Sequence, residues 1–247
     1  MGRQERLNAI LDRVGKDGSA DVKALATALG VSGATVRRDL QELSRSQLLV
    51  RTHGGALAND AAPPQSETPH HAEKRRIGHA AARLVDDNAV VGLTGGSTAL
   101  ELARALVGRR GITVVTNAIN IAAELVGRPG LRLVVIGGIV RQSYELVGLA
   151  AEAMLANYHL DIAFIGVDGL TSEEGLTTHD EMEAQTDSTF LHRARRNVVI
   201  ADSSKIGHVT FARISPLSRV DDIVTDRGAS AEQLRALRNA GVRVVTV

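Results

Sequence analysis

Five short polar stretches, each following an apolar run, hold the groups best suited to a ligand that is both anionic and rich in hydroxyls. They are Thr94-Gly95-Gly96-Ser97-Thr98, Thr116-Asn117, Gly137-Gly138, Asp168-Gly169 and Asp202-Ser203-Ser204-Lys205. In the first, two glycines allow close backbone approach and two hydroxyls add donors. The helix expected after it points a positive N-terminus at an anion. Lys205 can neutralise a phosphate, and Asp168 can accept from sugar hydroxyls. Taken singly, each stretch reads equally well as a turn, a cap or a surface charge. Five strand endings of this kind together describe the rim of a polar pocket, because open α/β sheets bind ligands beyond the carboxyl ends of their strands. Neither Gly-x-Gly-x-x-Gly nor a Gly-Lys-Ser/Thr phosphate loop occurs, which argues against dinucleotide and nucleoside-triphosphate sites. The eight histidines show no metal-ligand spacing and cysteine is absent. No metal and no cofactor are therefore expected, and His70-His71 reads as an exposed part of a linker.

A second chemistry lies near the N-terminus. Ser32 is a good N-cap for a helix in which Val36, Leu40 and Leu43 recur at i, i+4 and i+7, so that one face points into a core. Arg37, Arg38 and Gln41 then project elsewhere, with Ser32, Ala34 and Thr35 in the first turn. This is suitable chemistry for phosphates and base edges. An ordinary amphipathic surface helix would show the same paired arginines. The flanks favour the DNA-reading interpretation. Leu7, Ile10, Leu11 and Val14 predict a first helix, Asp21 caps a short second helix over 22–29, and Gly30 ends it. A strand over 48–52 and a turn over 53–56 follow, giving a winged helix-turn-helix whose wing brings Arg51 and His53 to the sugar–phosphate backbone.

The elements that must position the pocket follow from apolar patterning. Helices are expected over 73–84, 98–106, 119–126, 150–156, 180–193 and 230–240. Strands are expected over 89–93, 112–115, 131–136, 162–167, 198–201, 222–225 and 242–247. Continuous β-branched runs imply strands buried on both faces, hence an α/β domain with a mostly parallel sheet and helices on both faces. The expected division is a winged helix-turn-helix over 1–57, a Pro-rich linker over 58–72 and the α/β domain over 73–247. The chain has 247 residues, of which 44% are hydrophobic and only 2% aromatic, so its core is built from Ala, Val, Leu and Ile. The formal net charge of +1 conceals an asymmetry. Residues 1–57 carry nine Lys/Arg against six Asp/Glu, whereas the remainder carries 20 against 22. A basic head thus joins a slightly acidic body, as suits a small module facing a polyanion. No apolar run is long enough for a membrane span and no signal-peptide pattern opens the chain, so no membrane partner and a cytoplasmic location are expected.

Two blocks, Val31-Ser32-x-x-Thr35-Val36-Arg37-Arg38-Asp39-Leu40 and Arg51-x-His53-Gly54-Gly55-Ala56, resemble the N-terminal domain of the DeoR family of bacterial transcriptional regulators. Gly95-Gly96-Ser97-Thr98, Val114-Val115-Thr116-Asn117, Gly137-Gly138, Val147-Gly148, Asp161-x-Ala163-Phe164-Ile165-Gly166, Asp168-Gly169, Gly175-Leu176 and Ala201-Asp202-Ser203-Ser204-Lys205 resemble its effector domain. That domain is similar in fold to ribose-5-phosphate isomerase. The resemblance implies a repressor of a carbohydrate catabolic operon. Its double-stranded DNA operator would be read by a homo-oligomer, and a phosphorylated sugar would be bound by the C-terminal domain. One position departs from the family pattern, since many members carry an Asp where this chain has Thr94. Thr178 and Glu181 lie where the family begins a helix near the pocket, and they read either as a capping box or, for Glu181, as a ligand contact. Tyr144 and Glu145 are candidates for a lid. The competing reading is a sugar-phosphate isomerase with an appended DNA-binding domain. Against it, Leu170-Thr171 stand where such an isomerase has an acidic residue after its Asp-Gly-Ala, so no catalytic residues are assigned.

Overall fold

The computed structural model describes residues 6, 7, 9, 10, 13, 14, 19–45, 49–52, 54–58 and 69–247. The chain divides into two compact units, Met1–Pro69 and His70–Val247.

In the first unit, Arg6, Leu7, Ala9, Ile10, Arg13 and Val14 are helical. Strand β1 (Ser19–Asp21) leads into helix α1 (Val22–Leu29), followed by α2 (Gly33–Arg45), β2 (Leu49–Arg51) and β3 (Gly55–Ala58). The three strands form an antiparallel sheet in the order β1-β3-β2. Asp21 caps α1, accepting from the backbone N–H groups of Lys23 and Ala24 at 2.7 and 3.2 Å. Gly30 ends that helix in the left-handed conformation, φ 66°. The apolar spacing of the three helical segments converges as their periods require, for Leu7, Ile10, Val14, Val22, Leu25, Val36, Leu40 and Leu43 share one buried core. Asp39, buried beside that core, holds Arg6 through two bonds of 2.6 and 3.1 Å and so ties the first helix to α2.

The second unit runs α3 (His71–Ala82), β4 (Val90–Leu93), α4 (Ser97–Leu106), β5 (Ile112–Thr116), α5 (Ile119–Leu125), β6 (Leu131–Val135), β7 (Ile139–Val140), β8 (Leu146–Val147), α6 (Leu149–Leu155) and β9 (Leu160–Ile165). It continues with β10 (Gly169–Thr171), β11 (Gly175–Thr178), α7 (Glu181–Arg193), β12 (Ala194–Ile200), β13 (Ala212–Ser215), β14 (Asp222–Thr225), α8 (Ala231–Asn239) and β15 (Arg243–Thr246). Seven strands form an all-parallel sheet in the order β15-β14-β12-β9-β4-β5-β6. Side-chain alternation along them separates two cores. Val91, Leu93, Val114, Ile162, Phe164, Val198 and Val224 pack under α3, α4 and α5. Ala163, Ile165, Val199 and Ile223 pack against α6, α7, α8 and a small antiparallel sheet, β10-β11-β13. The expected α/β sheet with helices on both faces is therefore present.

Several local differences from the sequence reading have physical causes. The short strands β7, β8, β10, β11 and β13 were not anticipated, because runs of two to four residues carry no periodicity. Strand β12 begins at Ala194 rather than 198, since Arg195, Arg196 and Asn197 disguise its polar start. There Arg196 donates to buried Asp222 at 2.7 Å, so a charged side chain can occupy the strand. Residues 71 and 72, expected in the linker, open α3, and linker residues 59–68 lie outside the described residues. Among the described residues no helix is long and apolar enough to cross a membrane.

Helices α3 and α4 touch through Gly78. A Cβ there would stand 2.7 Å from the backbone of Glu101 and Leu102. Gly78→Ala therefore wedges the helices apart, at an expected cost of about 1–3 kcal/mol. A chemical melt checks this, and an unchanged midpoint would show that α3 shifts freely.

Candidate functional site

The chain leaves β4 toward β5 and β6 on one side, then returns to place β9 on the other side of β4. The sheet thus changes direction between β4 and β9, the place where parallel α/β sheets leave a crevice beyond their strand ends. A cavity of about 250 Å³ opens there. Its lining comes from the turn after β4, the turn after β9, the β7–β8 hairpin, the end of β11, the segment after β12, the first two turns of α7 and one residue of α3.

Gly95, Gly96, Ser97 and Thr98 line this cavity. Gly96, at φ 102°, occupies the N-cap of α4, and no side chain caps the helix. First-turn N–H groups of a helix have no partner within it, so this end faces the cavity as a positive dipole terminus. Thr94 is buried behind the turn, where its Oγ1 accepts from the Gly166 N–H at 3.0 Å. It stitches the β4 and β9 endings together and does not line the cavity.

Asp168 and Lys205 meet at the strand ends, with Lys205 Nζ donating to Asp168 Oδ1 at 3.3 Å. Thr178 donates to Asp168 at 3.1 Å and lies 3.4 Å from Glu183. Lys74, from α3, projects into the cavity and pairs with Asp202 at 3.8 Å. Burial lowers the Lys74 pKa from its ordinary value, helped by the like charge of Lys205 and opposed by Asp202. Patterning alone could not single out this lysine, since on a helical face it looks like a solvated charge.

Other expected site residues lie elsewhere. Gly137 and Gly138 are exposed where β7 begins, outside the cavity lining, because the β7–β8 hairpin turns the chain away from the strand end. Thr116 and Asn117 are fully buried. Thr116 Oγ1 accepts from the Ala118 N–H at 3.1 Å. Asn117 Nδ2 donates to Glu145 Oε2 at 3.0 Å and to the Leu146 carbonyl at 3.3 Å. Asn117 thereby holds Glu145. Glu145, one of the two lid candidates, is buried and reaches the Gly95 turn, where its carboxylate fills the space that an added Cβ would need. Thr178 does not cap α7. Asp180 does so, accepting from the Met182 and Glu183 N–H groups at 2.9 and 3.1 Å, while Arg141 pairs with its other oxygen. That cap turns Glu181 outward into solvent and brings Glu183 and Asp187 to the cavity instead.

Burial pushes the Glu145 carboxyl up from 4.5 to about 7, with Glu183 and Asp168 adding like charge and the Asn117 hydrogen bond opposing. Asp187 is raised well above the carboxylate range, first by burial and then by Glu145, Glu183 and Asp168. Carboxyls raised in this way contribute stability that is fully present below their unfolded pKa and lost as pH rises through the folded one. Melting temperature is therefore expected to fall between about pH 4.5 and 7, and Glu145→Gln to flatten that slope. An identical slope in the variant, read by differential scanning fluorimetry, would assign the effect to other groups.

In the first unit, Ser32, at the N-cap position of α2, accepts from the Thr35 N–H at 3.2 Å, and its hydroxyl meets that of Thr35 at 2.9 Å. Ser32, Ala34, Arg37, Arg38 and Gln41 are exposed, and Thr35 is half-buried. Arg51 pairs through its backbone with Ala56 in the β2–β3 ladder. Its side chain and all of His53 lie outside the described residues.

Residues 6–62 match the DeoR-like helix-turn-helix domain, and residues 69–227 match the DeoR C terminal sensor domain. The chain is 36% identical to a candidate aga operon transcriptional repressor of Escherichia coli O157:H7, over 100% of this chain and 94% of that one. It is 32% identical to the HTH-type transcriptional regulator GlpR of Haloferax volcanii, over 98% and 96% of the two chains. It is 28% identical to the glycerol-3-phosphate regulon repressor of Escherichia coli K12, over 99% of each. With both domain matches in place and similarity running the length of the chain, the protein belongs to the DeoR family of DNA-binding transcriptional regulators.

Proposed function

We propose that this regulator represses an operon of carbohydrate catabolism and that a phosphorylated sugar bound in the cavity sets its affinity for DNA. The observation that carries this reading is the meeting of an uncapped helix N-terminus, Ser97 and Thr98 with two lysines, Lys74 and Lys205, in one cavity. That combination suits a phosphate. Gly95 and Gly96 let its oxygens approach the backbone, and Asp168 accepts from sugar hydroxyls. The name of one relative, the glycerol-3-phosphate regulon repressor, supports a link to a small phosphorylated polyhydroxy compound. Ser32, Ala34, Thr35, Arg37, Arg38, Gln41, Arg51 and His53 form the DNA-reading surface. A homo-oligomer in the cytoplasm would present two such surfaces to paired half-sites. The effector acts only if it binds one domain arrangement more tightly than another.

We further propose that the bound sugar is sensed without being converted. Position 170, where an isomerase would need a carboxylate, is a leucine buried in the core. Fluorescence anisotropy with the protein's own upstream DNA tests the whole reading. Salt-dependent preference over random DNA is expected, together with a shift in that preference when a sugar phosphate is added. Absence of the preference removes the DNA-reading role, absence of any shift removes the effector role, and aldose–ketose interconversion overturns the sensing role.

A further inference from the structure

The cavity is unusually acidic for a site that takes only a phosphate. Lys74 and Lys205 face five carboxyl groups in its lining: Asp168, Asp202, Glu145, Glu183 and Asp187. Asp168 and Asp202 are the partners of the two lysines. Glu183 accepts from the Ser143 hydroxyl at 2.5 Å, and Glu145 accepts from Asn117. Asp187 differs from all of these. It is 4% exposed and lines the cavity, yet its Oδ1 has no hydrogen-bond partner. A buried carboxyl left in that state is costly unless a proton or a ligand completes it.

Asp168, Asp202 and Lys205 follow the strand ends, and the remaining groups come from opposite faces of the sheet. Helices α3 and α4, on one face, supply Lys74, Ser97 and Thr98. Helix α7, on the other, supplies Glu183 and Asp187, and the β7–β8 hairpin supplies Glu145. We propose that the ligand is a phosphorylated amino sugar, whose ammonium group sits against Asp187 and Glu145 while its phosphate meets Lys74 and the N-terminus of α4. This rests on the sugar-phosphate reading above and narrows it. An ammonium group supplies three donors and a positive charge, whereas a hydroxyl supplies one donor and none. A metal ion is the other cation that carboxyls attract, but among the described residues no group of three or more acidic, His or Cys side chains is arranged to hold one.

Glu145 has like charge from Asp168, Glu183 and Asp187 beside it, with Lys74, Lys205 and Asp202 in the same cavity lining, and its raised carboxyl predicts a sign. Raising the pH from 5.5 to 7 takes the Glu145 carboxyl toward its charged form while a sugar amine keeps its proton. Preference for the amine should therefore grow over that range. If protonated carboxyls instead donate to a sugar hydroxyl, the preference shrinks.

Isothermal titration of the full chain with glucosamine 6-phosphate, galactosamine 6-phosphate, glucose 6-phosphate, galactose 6-phosphate and N-acetylglucosamine 6-phosphate tests the proposal. In at least one series the amino compound should bind tenfold or more tighter than its hydroxyl counterpart, with a ratio larger at pH 7 than at pH 5.5. The ratio cancels the titration of the phosphate itself. D187N should bring the ratio close to one, and the wild-type series decides alone if that variant does not fold. Equal or weaker binding of both amino compounds overturns the proposal and leaves the sugar-phosphate reading standing. A saturable Mg2+ or Ca2+ site that competes with the sugars overturns it in favour of a metal. Failure of every sugar phosphate to bind overturns both.

Discussion

Replacing Arg37 and Arg38 together with alanine weakens operator binding by about 10²–10⁴-fold, if each arginine contributes about 1–3 kcal/mol at a base edge or phosphate. Both side chains are exposed on α2, on a face separate from Val36 and Leu40, which are fully buried. Substitutions at such positions usually change folding stability by less than about 0.5 kcal/mol, so the melting temperature should hold. The salt dependence of binding is the sharper measurement. If both arginines neutralise phosphates, the slope of log K against log salt falls by about 2. If one reads a base, affinity drops with a smaller change in slope and discrimination between operator and random DNA narrows. An unchanged binding isotherm would remove α2 from the DNA-reading surface.

Leu40→Ala acts on the same function through stability. Leu40 is fully buried in the core shared by the helical segments and wing of the first unit. Truncating a buried leucine costs about 2–5 kcal/mol, the removed methyl groups and the cavity both contributing. A unit of this size has little stability in reserve, because small domains bury a smaller share of their surface. The expected result is loss of DNA binding with most of the calorimetric transition retained, since the second unit has its own two cores. A sugar phosphate should still raise the remaining transition in proportion to its concentration. Loss of both transitions together would mean that the units fold as one cooperative body.

Legibility in the sequence followed the range of the interactions involved. Asp21, Gly30 and Ser32 could be placed as caps and stops because each acts within three residues of itself. The long strands and helices could be placed because apolar period is a local property that burial then enforces. The glycine turn after β4 was readable for the same reason. Lys74, Glu183 and Asp187 were not readable as site residues, and Glu145 was readable only as a lid candidate. Each is an ordinary polar residue until α3, the β7–β8 hairpin and α7 are brought to one crevice. Glu181 shows the limit most plainly. A two-residue shift of the cap, from Thr178 to Asp180, rotates Glu181 into solvent and Glu183 into the cavity.

The sequence by itself determined that a basic helix-turn-helix head precedes a parallel α/β body with small and polar strand endings, since caps, period and composition are local. Only the tertiary structure decided which endings share a cavity. Strand order places β9 beside β4 and carries the Thr116-Asn117 and Gly137-Gly138 endings away from the crevice, leaving Asn117 to hold Glu145 from behind. The acidity of that cavity is likewise a tertiary property. A carboxyl such as Asp187 acquires its raised pKa from burial and from neighbours distant in sequence, and neither exists until the sheet has formed.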